Sequence, residues 1–264
     1  MANLDSPVSL AGGKILLEFK PSVSILRLNR PTKLNALDWE MIEALDRLFD
    51  AWEQSDSPAV VVLASTSPKS FCAGADIGVL AEMTPERMQA WELAGSRMLD
   101  RIQFSPVVSI AAISGYCFGG GCTFALACDF RLAASTAAFA QPEIDLGWIP
   151  GWGGVARLCD TIGVSEAKRL AMTGVRLTAD EAAALGLVNR VSAPEQLESE
   201  ACALAADIAS RNRLALRTIK ELACGSPQPA STARRLDALA NATLLMHDAS
   251  QAAIRKFREK NEHA

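Results

Sequence analysis

The stretch ISGYCFGGGCTFALACDF, residues 113–130, decides the fold of this chain. It starts at the end of an apolar run, passes through three consecutive glycines and ends in residues with helical spacing. A buried strand that leads into a helix is typical of α/β proteins. Because glycine has no side chain, Gly119–Gly121 predicts a place where a ligand or a packed neighbour approaches the backbone closely. The spacing does not match GxGxxG, so we reject a dinucleotide site.

Strand and helix patterns alternate on both sides of this stretch. The predicted strands cover residues 15–19, 23–29, 59–65, 107–113 and 129–134, and the main predicted helices between them cover residues 38–54 and 85–103. Apolar strands that alternate with helices predict an α/β core with buried parallel pairing. After about residue 194 helical patterns follow one another, with a breaker at residues 225–229. We therefore divide the chain into an α/β core, residues 1–193, and an all-helical region, residues 194–264.

Composition and charge argue against several functions. The 264 residues are 50% hydrophobic and carry a net charge of −4, with the basic residues scattered, so no nucleic-acid-binding face is expected. The longest apolar runs, such as residues 59–64, are too short to cross a bilayer. The first ten residues lack the pattern of a signal peptide, and the final EHA is not a peroxisomal signal. We expect a cytoplasmic protein that binds neither nucleic acid nor membrane.

The cysteines and histidines give no sign of a metal site or a catalytic triad. Seven cysteines without a paired framework indicate a reducing compartment. Cys117, Cys122 and Cys128 lack the CxxC spacing of a zinc site and are expected to pack as small apolar side chains. The two histidines, His247 and His263, are distant in sequence from any candidate nucleophile. We therefore expect no metal.

Two glycine-bearing segments, residues 71–77 and 113–122, each follow a predicted buried strand and lead into a helix. The first amides of a helix have no acceptor within that helix. One N–H from each segment could therefore point at the same carbonyl oxygen and form an oxyanion hole. From these residues alone, packing or turn formation is still the commoner explanation for three consecutive glycines.

Glu143 lies in AFAQPEIDLGWIPGWGG, residues 138–154, among apolar and aromatic residues. A carboxyl group in apolar surroundings has a raised pKa and can transfer protons near neutral pH. Alternatively, Glu143 caps a turn or pairs with an arginine, and the local sequence does not decide between these functions. Trp148 and Trp152 follow closely and either line the same site or belong to the core.

Five segments together resemble the crotonase, or enoyl-CoA hydratase/isomerase, superfamily. They are LNRPTKLNAL (28–37), FCAGADI (71–77), GYCFGGGC (115–122), AFAQPEIDLGWIPGWGG (138–154) and RLAMTGVRLTADEAAALGLVNRV (169–191). Each motif is loose by itself, but their order and spacing make the match specific. The resemblance implies an α/β fold of the crotonase type, a spiral of ββα units with a C-terminal helical trimerisation region, assembled as a homotrimer or a dimer of trimers. It also implies an acyl-CoA thioester substrate, so that coenzyme A enters with the substrate and no separate cofactor is expected.

Members of this superfamily stabilise an enolate of the thioester with two backbone amides. The matching positions here are Ala75 and Gly120, and Glu143 matches the second of the two acid/base glutamates of the hydratases. The position of the first glutamate holds Thr123, whose hydroxyl cannot act as a base near neutral pH and can only orient a water or a substrate group. The resemblance therefore favours one-carboxylate members, such as Δ3,Δ2-enoyl-CoA isomerases, with Glu143 as the proton carrier.

The resemblance also implies which positions contact the substrate. They are Lys33 and Leu34 near the nucleotide, Ala73, Asp76 and Ile77 beside the pantetheine, Thr123 as a residue that orients a water or a substrate group, and Trp148 and Trp152 along the acyl group. Phe257 and Lys260 lie in KFREK, which resembles a segment of the family that reaches a CoA, often across a subunit boundary. A solvated helix end explains KFREK equally well.

Other reactions stay open at this point. One alternative is hydration, with Glu143 and a water oriented by Thr123; others are decarboxylation and ring-ketone hydrolysis, which also pass through an enolate. Asp145 is either structural or a substitute for the missing acid. An alternative of another class is an acyl-CoA-binding subunit without catalytic activity.

Overall fold

The computed structural model describes residues 7–20, 23–55, 58–80 and 83–224, and the single residues 239, 241, 243, 246, 248, 250, 252 and 259. The strands within these residues are β1 (Val8–Leu10), β2 (Ile15–Lys20), β3 (Val23–Leu28), β4 (Val60–Ser65), β5 (Ser70–Cys72), β6 (Val108–Ile113), β7 (Tyr116–Phe118), β8 (Phe130–Ala134), β9 (Ala138–Ala140), β10 (Leu177–Thr178) and β11 (Arg190–Ser192). The α-helices are α1 (Trp39–Ser55), α2 (Ile77–Leu80), α3 (Pro85–Phe104), α4 (Gly120–Leu126), α5 (Gly154–Thr173), α6 (Ala179–Ala184), α7 (Leu197–Ala209) and α8 (Arg213–Cys224).

The strands form two sheets. The larger sheet has the order β1-β2-β3-β4-β6-β8-β11, and the smaller has the order β10-β9-β7-β5. Strands β3, β4, β6, β8 and β11 pair in parallel, while β1, β2 and β3 pair antiparallel. Every residue of β6 is buried, as expected for a parallel strand covered on both faces. This confirms the predicted α/β core with buried parallel pairing.

Side chains alternate between the two faces of the larger sheet. On one face, Val61 and Leu63 belong to the main core with the apolar stripe of α1, which includes Met41 and Leu45. On the other face, Val60 and Val62 belong to a second apolar cluster. The period of two along β4 therefore supplies both layers of the core.

The predicted elements agree with the structure at most positions. The strand predicted over residues 59–65 is β4, the helix predicted over 85–103 is α3, and the helix predicted after the glycines is α4. Residue 194 is followed by helices α7 and α8 in the described part of the chain, as predicted. The breaker at 225–229 lies outside the described residues.

The first helices of the C-terminal region pack on the α/β core. Leu197, Ala201 and Ala205 of α7 belong to the second apolar cluster of the larger sheet. The ammonium of Lys220, on α8, is buried and donates hydrogen bonds to the Val107 carbonyl (2.7 Å) and to Asp129 (2.8 Å). The division at residues 193 and 194 stays a prediction, since both helices share the packing of the core. Within the described residues, no helix combines the length and apolar character needed to span a membrane.

Candidate active site

The two glycine-bearing segments meet at one end of the smaller sheet. Residues 73–77 follow β5, Gly119 and Gly120 follow β7, and these two strands are parallel neighbours. Parallel neighbours place their carboxyl ends at the same edge of a sheet, which brings the two segments together. A Cβ atom added to Gly74 would lie 3.2 Å from the Gly120 nitrogen.

The peptide around Ala75 is fixed by its neighbours. The Leu37 N–H donates to the Gly74 carbonyl at 2.8 Å, and the Asp76 N–H donates to the Leu37 carbonyl at 2.9 Å. This bridge leaves the Ala75 N–H facing away from Leu37. Neither the Ala75 N–H nor the Gly120 N–H donates to an acceptor among the described residues. Two neighbouring amides without protein acceptors are the donors that an oxyanion hole requires.

Glu143 approaches the backbone of the second segment. It lies on a short 3₁₀ turn, Pro142–Leu146, directly after β9, the neighbour of β7. Gly119 has a φ of +53°, and a Cβ atom added to it would lie 2.8 Å from Oε1 of Glu143. Only glycine therefore allows this backbone conformation and this close approach of the carboxyl group.

The surroundings of Glu143 favour its neutral form. Burial raises the pKa of its carboxyl group above the ordinary value of 4.5, and the negative charge of Glu92 raises it further, while the N–H of Glu143 itself lowers it. In the amide orientation that gives both of its polar atoms a partner, the fully buried Gln141 donates to the Gly119 carbonyl (3.2 Å) and to Oε2 of Glu143 (3.2 Å); this donor acts against the effect of burial, because it stabilises the ionised form of Glu143. No arginine or lysine in the described part of the chain forms an ion pair with Glu143. Of the functions considered from the sequence, the arrangement favours the proton carrier over the ion-pair partner.

A cavity of about 930 Å³ opens beside these groups. Its wall is mainly apolar and aromatic, as in sites that bury an organic ligand. Seven predicted site residues lie on this wall: Ala73, Ala75, Ile77, Gly120, Glu143, Trp148 and Trp152. Asp145 also lies on the wall. The structure thus brings the predicted amides, the carboxyl group and both tryptophans to one cavity, and their contacts with a substrate stay predictions.

The structure places Thr123 away from this cavity. Its side chain is fully buried, and its hydroxyl donates to the Gly119 carbonyl at 3.4 Å, one turn back along the chain. A Cβ atom on Gly154 would lie 2.6 Å from the Thr123 Oγ1, so α5 packs against this hydroxyl. Thr123 is not part of the cavity wall and does not reach a position from which it could orient a water there.

Other predicted contacts also lie outside the cavity wall. Asp76 is buried in an ion pair with Arg30 (2.7 Å) and accepts a hydrogen bond from the Gly78 N–H, so its side chain holds the loop in place. Lys33 and Leu34 lie at the exposed short helix Pro31–Lys33 and its C-terminal end. Phe257 and Lys260 lie outside the described residues.

Sequence reasoning missed two polar residues of this site. Gln141 directly precedes Pro142 and Glu143 in AFAQPEIDLGWIPGWGG, residues 138–154, and its position in this motif could have identified it. Glu92 lies on α3 and lines the cavity, but nothing in its local sequence distinguishes it from a solvated helix residue.

The cysteines show the expected packing. Cys117, Cys122 and Cys128 are free and buried. No group of three or more potential ligands that could hold a metal ion occurs within the described residues.

The fold and the cavity together define a class of protein. A pair of amides that donate to no acceptor among the described residues, beside a half-buried carboxyl group, can stabilise negative charge on a carbonyl oxygen and move a proton next to it. The chain belongs to the enoyl-CoA hydratase/isomerase family, whose sequence model matches residues 18–264.

Individual relatives agree with this assignment. The chain is 36% identical to the short-chain-enoyl-CoA hydratase of Clostridium acetobutylicum, over 78% of this chain and 79% of that protein. It is also 36% identical to the crotonyl-CoA hydratase of Syntrophomonas wolfei, over 81% of this chain and 82% of that protein. The crystal structure of enoyl-CoA hydratase from Bacillus anthracis superposes with a TM-score of 0.90 at 33% identity, over 94% of this chain and 96% of that one. The predicted crotonase-type fold is therefore confirmed.

Proposed function

We propose that this enzyme moves the double bond of an enoyl-CoA thioester, with Glu143 as the proton carrier. The observation that carries the proposal is the position of its carboxyl group, against Gly119 and next to the Gly120 amide, in an apolar cavity. The relatives described above are named as hydratases of enoyl-CoA or crotonyl-CoA, which supports a thioester substrate of this class.

We propose the following steps. A 3-enoyl thioester binds with its carbonyl oxygen at the Ala75 and Gly120 amides. The Glu143 carboxylate removes a proton from C2, and the electron pair moves into a dienolate whose charge lies on the thioester oxygen. Hydrogen bonds from the two amides strengthen as this charge develops, which lowers the barrier. Protonation at C4 then gives the 2-enoyl thioester.

The position of Thr123 supports isomerisation over hydration. The sequence suggested a hydration mechanism in which Thr123 orients the water. That mechanism needs the Thr123 hydroxyl to hold the attacking water beside Glu143. The hydroxyl is buried and bonded to the Gly119 carbonyl instead. Removal and return of a proton by a carboxyl group requires no second group that holds a water.

The test compares Glu143→Gln with the wild type on 3-enoyl-CoA and 2-enoyl-CoA substrates. Loss of a positioned acid/base group lowers kcat by about 100- to 10,000-fold, so we expect a loss in this range with the circular dichroism spectrum unchanged. Glu43→Gln serves as the control, because Glu43 is exposed on α1 and lies outside the cavity. Undiminished turnover by Glu143→Gln would refute the proposal.

Hydration is the second candidate, and the hydratase names of the relatives favour it. Mass spectrometry of the product separates the two reactions, because hydration adds the mass of one water and isomerisation leaves the mass unchanged. If the chain binds acyl-CoA esters but forms no product from any of them, the result would instead indicate an acyl-CoA-binding subunit without catalytic activity.

We also propose that the chain assembles as a homotrimer or a dimer of trimers, with the C-terminal region at the interface. The family resemblance supports this assembly. Light scattering coupled to size-exclusion chromatography measures the mass directly, and a monomer would refute it.

A further inference from the structure

A second carboxylate, that of Glu92 on α3, lines the same cavity as Glu143. Its Oε2 accepts a hydrogen bond of 2.8 Å from the backbone N–H of Trp152. The negative charge of Glu92 is also one cause of the raised pKa of Glu143, in agreement with the position of both carboxyl groups on one cavity wall. The isomerisation proposed above assigns no function to Glu92.

The hydrogen bond to Glu92 depends on an unusual backbone conformation. Trp152 has a φ of +55°, in the left-handed region that bulky residues rarely occupy. Its N–H is held by Glu92, and its carbonyl accepts a hydrogen bond of 2.7 Å from the buried Arg157. Strained residues that their neighbours hold in place concentrate at active sites. Here the strain directs a main-chain donor at a carboxylate on the cavity wall.

The other oxygen of Glu92 accepts no hydrogen bond from a residue that the structure describes. A Cβ atom added to Gly151 would lie 2.6 Å from Oε1 of Glu92, so the glycine makes room for the carboxylate. No cation forms an ion pair with Glu92 among the described residues. A carboxylate that shares an apolar cavity with a second carboxyl group, and that forms no ion pair among the described residues, is a candidate functional group.

We propose that Glu92 is the second proton-transferring group of this site and exchanges a proton with C4 of the acyl chain, while Glu143 serves C2. The inference rests on the proposed isomerisation.

Every proton and electron pair is accounted for in this scheme. The forward reaction starts from the form of the pair in which the one shared proton is on Glu92 and Glu143 is ionised, although the surroundings of Glu143 favour its neutral form. The Glu143 carboxylate takes the C2 proton, and the C2–H electron pair forms the dienolate. The C3–C4 π pair of the dienolate forms the new C4–H bond with the proton of Glu92, the C1–C2 π pair becomes the C2–C3 double bond, and an electron pair on oxygen restores the thioester carbonyl. Glu143 is then protonated and Glu92 ionised, and exchange with water in the open cavity resets the pair. The reverse reaction uses the same groups with their functions exchanged.

The first experiment uses substitutions at position 92. Glu92→Gln keeps an oxygen that can accept the Trp152 N–H but cannot transfer a proton, whereas Glu92→Ala removes both functions. We expect kcat to fall by about 100-fold or more in both variants. Glu86→Gln, the same change near the start of α3 and outside the cavity, is the control. Activity retained by Glu92→Gln and lost by Glu92→Ala would show that Glu92 only positions Trp152, and the proposal would be overturned.

The second experiment follows the proton itself. A 3-enoyl-CoA dideuterated at C2 is converted in ordinary water under single-turnover conditions. If Glu143 acts alone, deuterium passes from C2 to C4; with two carriers, C4 of the product receives a solvent proton. We expect no deuterium at C4 with the wild type, and deuterium at C4 in the residual product of Glu92→Gln. Deuterium transfer to C4 by the wild type would overturn the proposal.

Failure of the proposed function gives a different result. If the wild type only adds water to 2-enoyl-CoA, isomerisation is refuted, and the role assigned to Glu92 at C4 falls with it. If the wild type isomerises and only Glu143→Gln is impaired, isomerisation stands and the inference about Glu92 is refuted.

Discussion

The Gly120 amide cannot be deleted by mutagenesis, but it can be displaced by giving residue 120 a side chain. A Cβ atom on this residue would lie 2.6 Å from Cζ3 of Trp152 and 3.0 Å from its Cε3. Ordinary contact begins at 3.4 Å, so Gly120→Ala forces the backbone and the ring apart by about 0.8 Å.

The Trp152 ring has little freedom to take up this displacement. It also packs against Gly95, where an added Cβ atom would lie 2.2 Å from the indole nitrogen. The Trp152 backbone is held at its N–H by Glu92 and at its carbonyl by Arg157. The displacement therefore falls on the segment that carries the Gly120 amide.

The expected cost follows from the size of the shift. Misplacement by about 1 Å at a reacting centre costs about 100-fold in rate, and loss of one oxyanion donor costs about 3 kcal/mol. We therefore expect Gly120→Ala to lower kcat on 3-enoyl-CoA by about 100-fold. KM should change less, because the amide bond strengthens only as the charge develops. Steady-state kinetics with mass-spectrometric product analysis measures both values, and circular dichroism checks the fold.

Two further variants separate the amide from general effects of an added methyl group. Gly186→Ala changes a glycine of positive φ that lies outside the cavity wall, and we expect it to keep the wild-type kcat. The double variant Gly120→Ala/Trp152→Phe removes part of the opposing ring and should recover part of the lost rate. Wild-type kcat in a folded Gly120→Ala protein would refute the assignment of this amide to the oxyanion hole.

Two other predictions concern charged groups. Because its pKa is raised, the folded state holds the Glu143 proton more tightly than the unfolded chain does. The protonated carboxyl group therefore stabilises the folded state below its ordinary pKa of 4.5, and this stabilisation is lost as the pH rises through the raised folded-state pKa. Glu143→Gln should therefore melt at a higher temperature than the wild type at about pH 8 and lose this advantage at about pH 4; a difference in melting temperature that does not depend on pH would contradict this. Lys220→Met removes the buried ammonium that joins α8 to Asp129 and the Val107 carbonyl. Since breaking a buried ion pair costs about 3 kcal/mol or more, urea unfolding should show a loss of this size. A loss below about 1 kcal/mol, the range of an exposed pair, would contradict it.

The sequence was informative wherever apolar patterns decide the structure. The run at residues 59–65 and the glycines at 119–121 predicted β4 and the start of α4, because a short buried strand and a helix start have local signals. The convergence of the two glycine segments followed from the parallel order of the strands that carry them. Their placement on one cavity is therefore a property of the topology.

Thr123 and Glu92 show why the rest of the site could not be predicted. The residues of α4 from Gly121 to Leu126 are all buried, so periodicity could not tell whether Thr123 faces the cavity or α5. Glu92 follows the buried Trp91 on a helix whose other face is solvated, where a glutamate is ordinary. Glu92 is part of the cavity only because the segment around Trp152 packs across α3. The hydrogen bond between Trp152 and Glu92 joins residues that are 60 positions apart in the chain.

Trp152 connects the elements of this site that the sequence motifs treat separately. Its ring supports the backbone at Gly120, while its own N–H holds Glu92 and its carbonyl is held by Arg157. Arg157 is itself anchored to α3 through Asp100, so both hydrogen bonds to the Trp152 backbone are anchored on the same helix. A change in the tryptophan conformation would therefore move an oxyanion donor and a carboxylate together. The left-handed conformation of Trp152 persists because hydrogen bonds anchored on α3 hold its backbone on both sides, and relaxing it would separate the Gly120 amide from Glu92, the two groups proposed to act on one thioester.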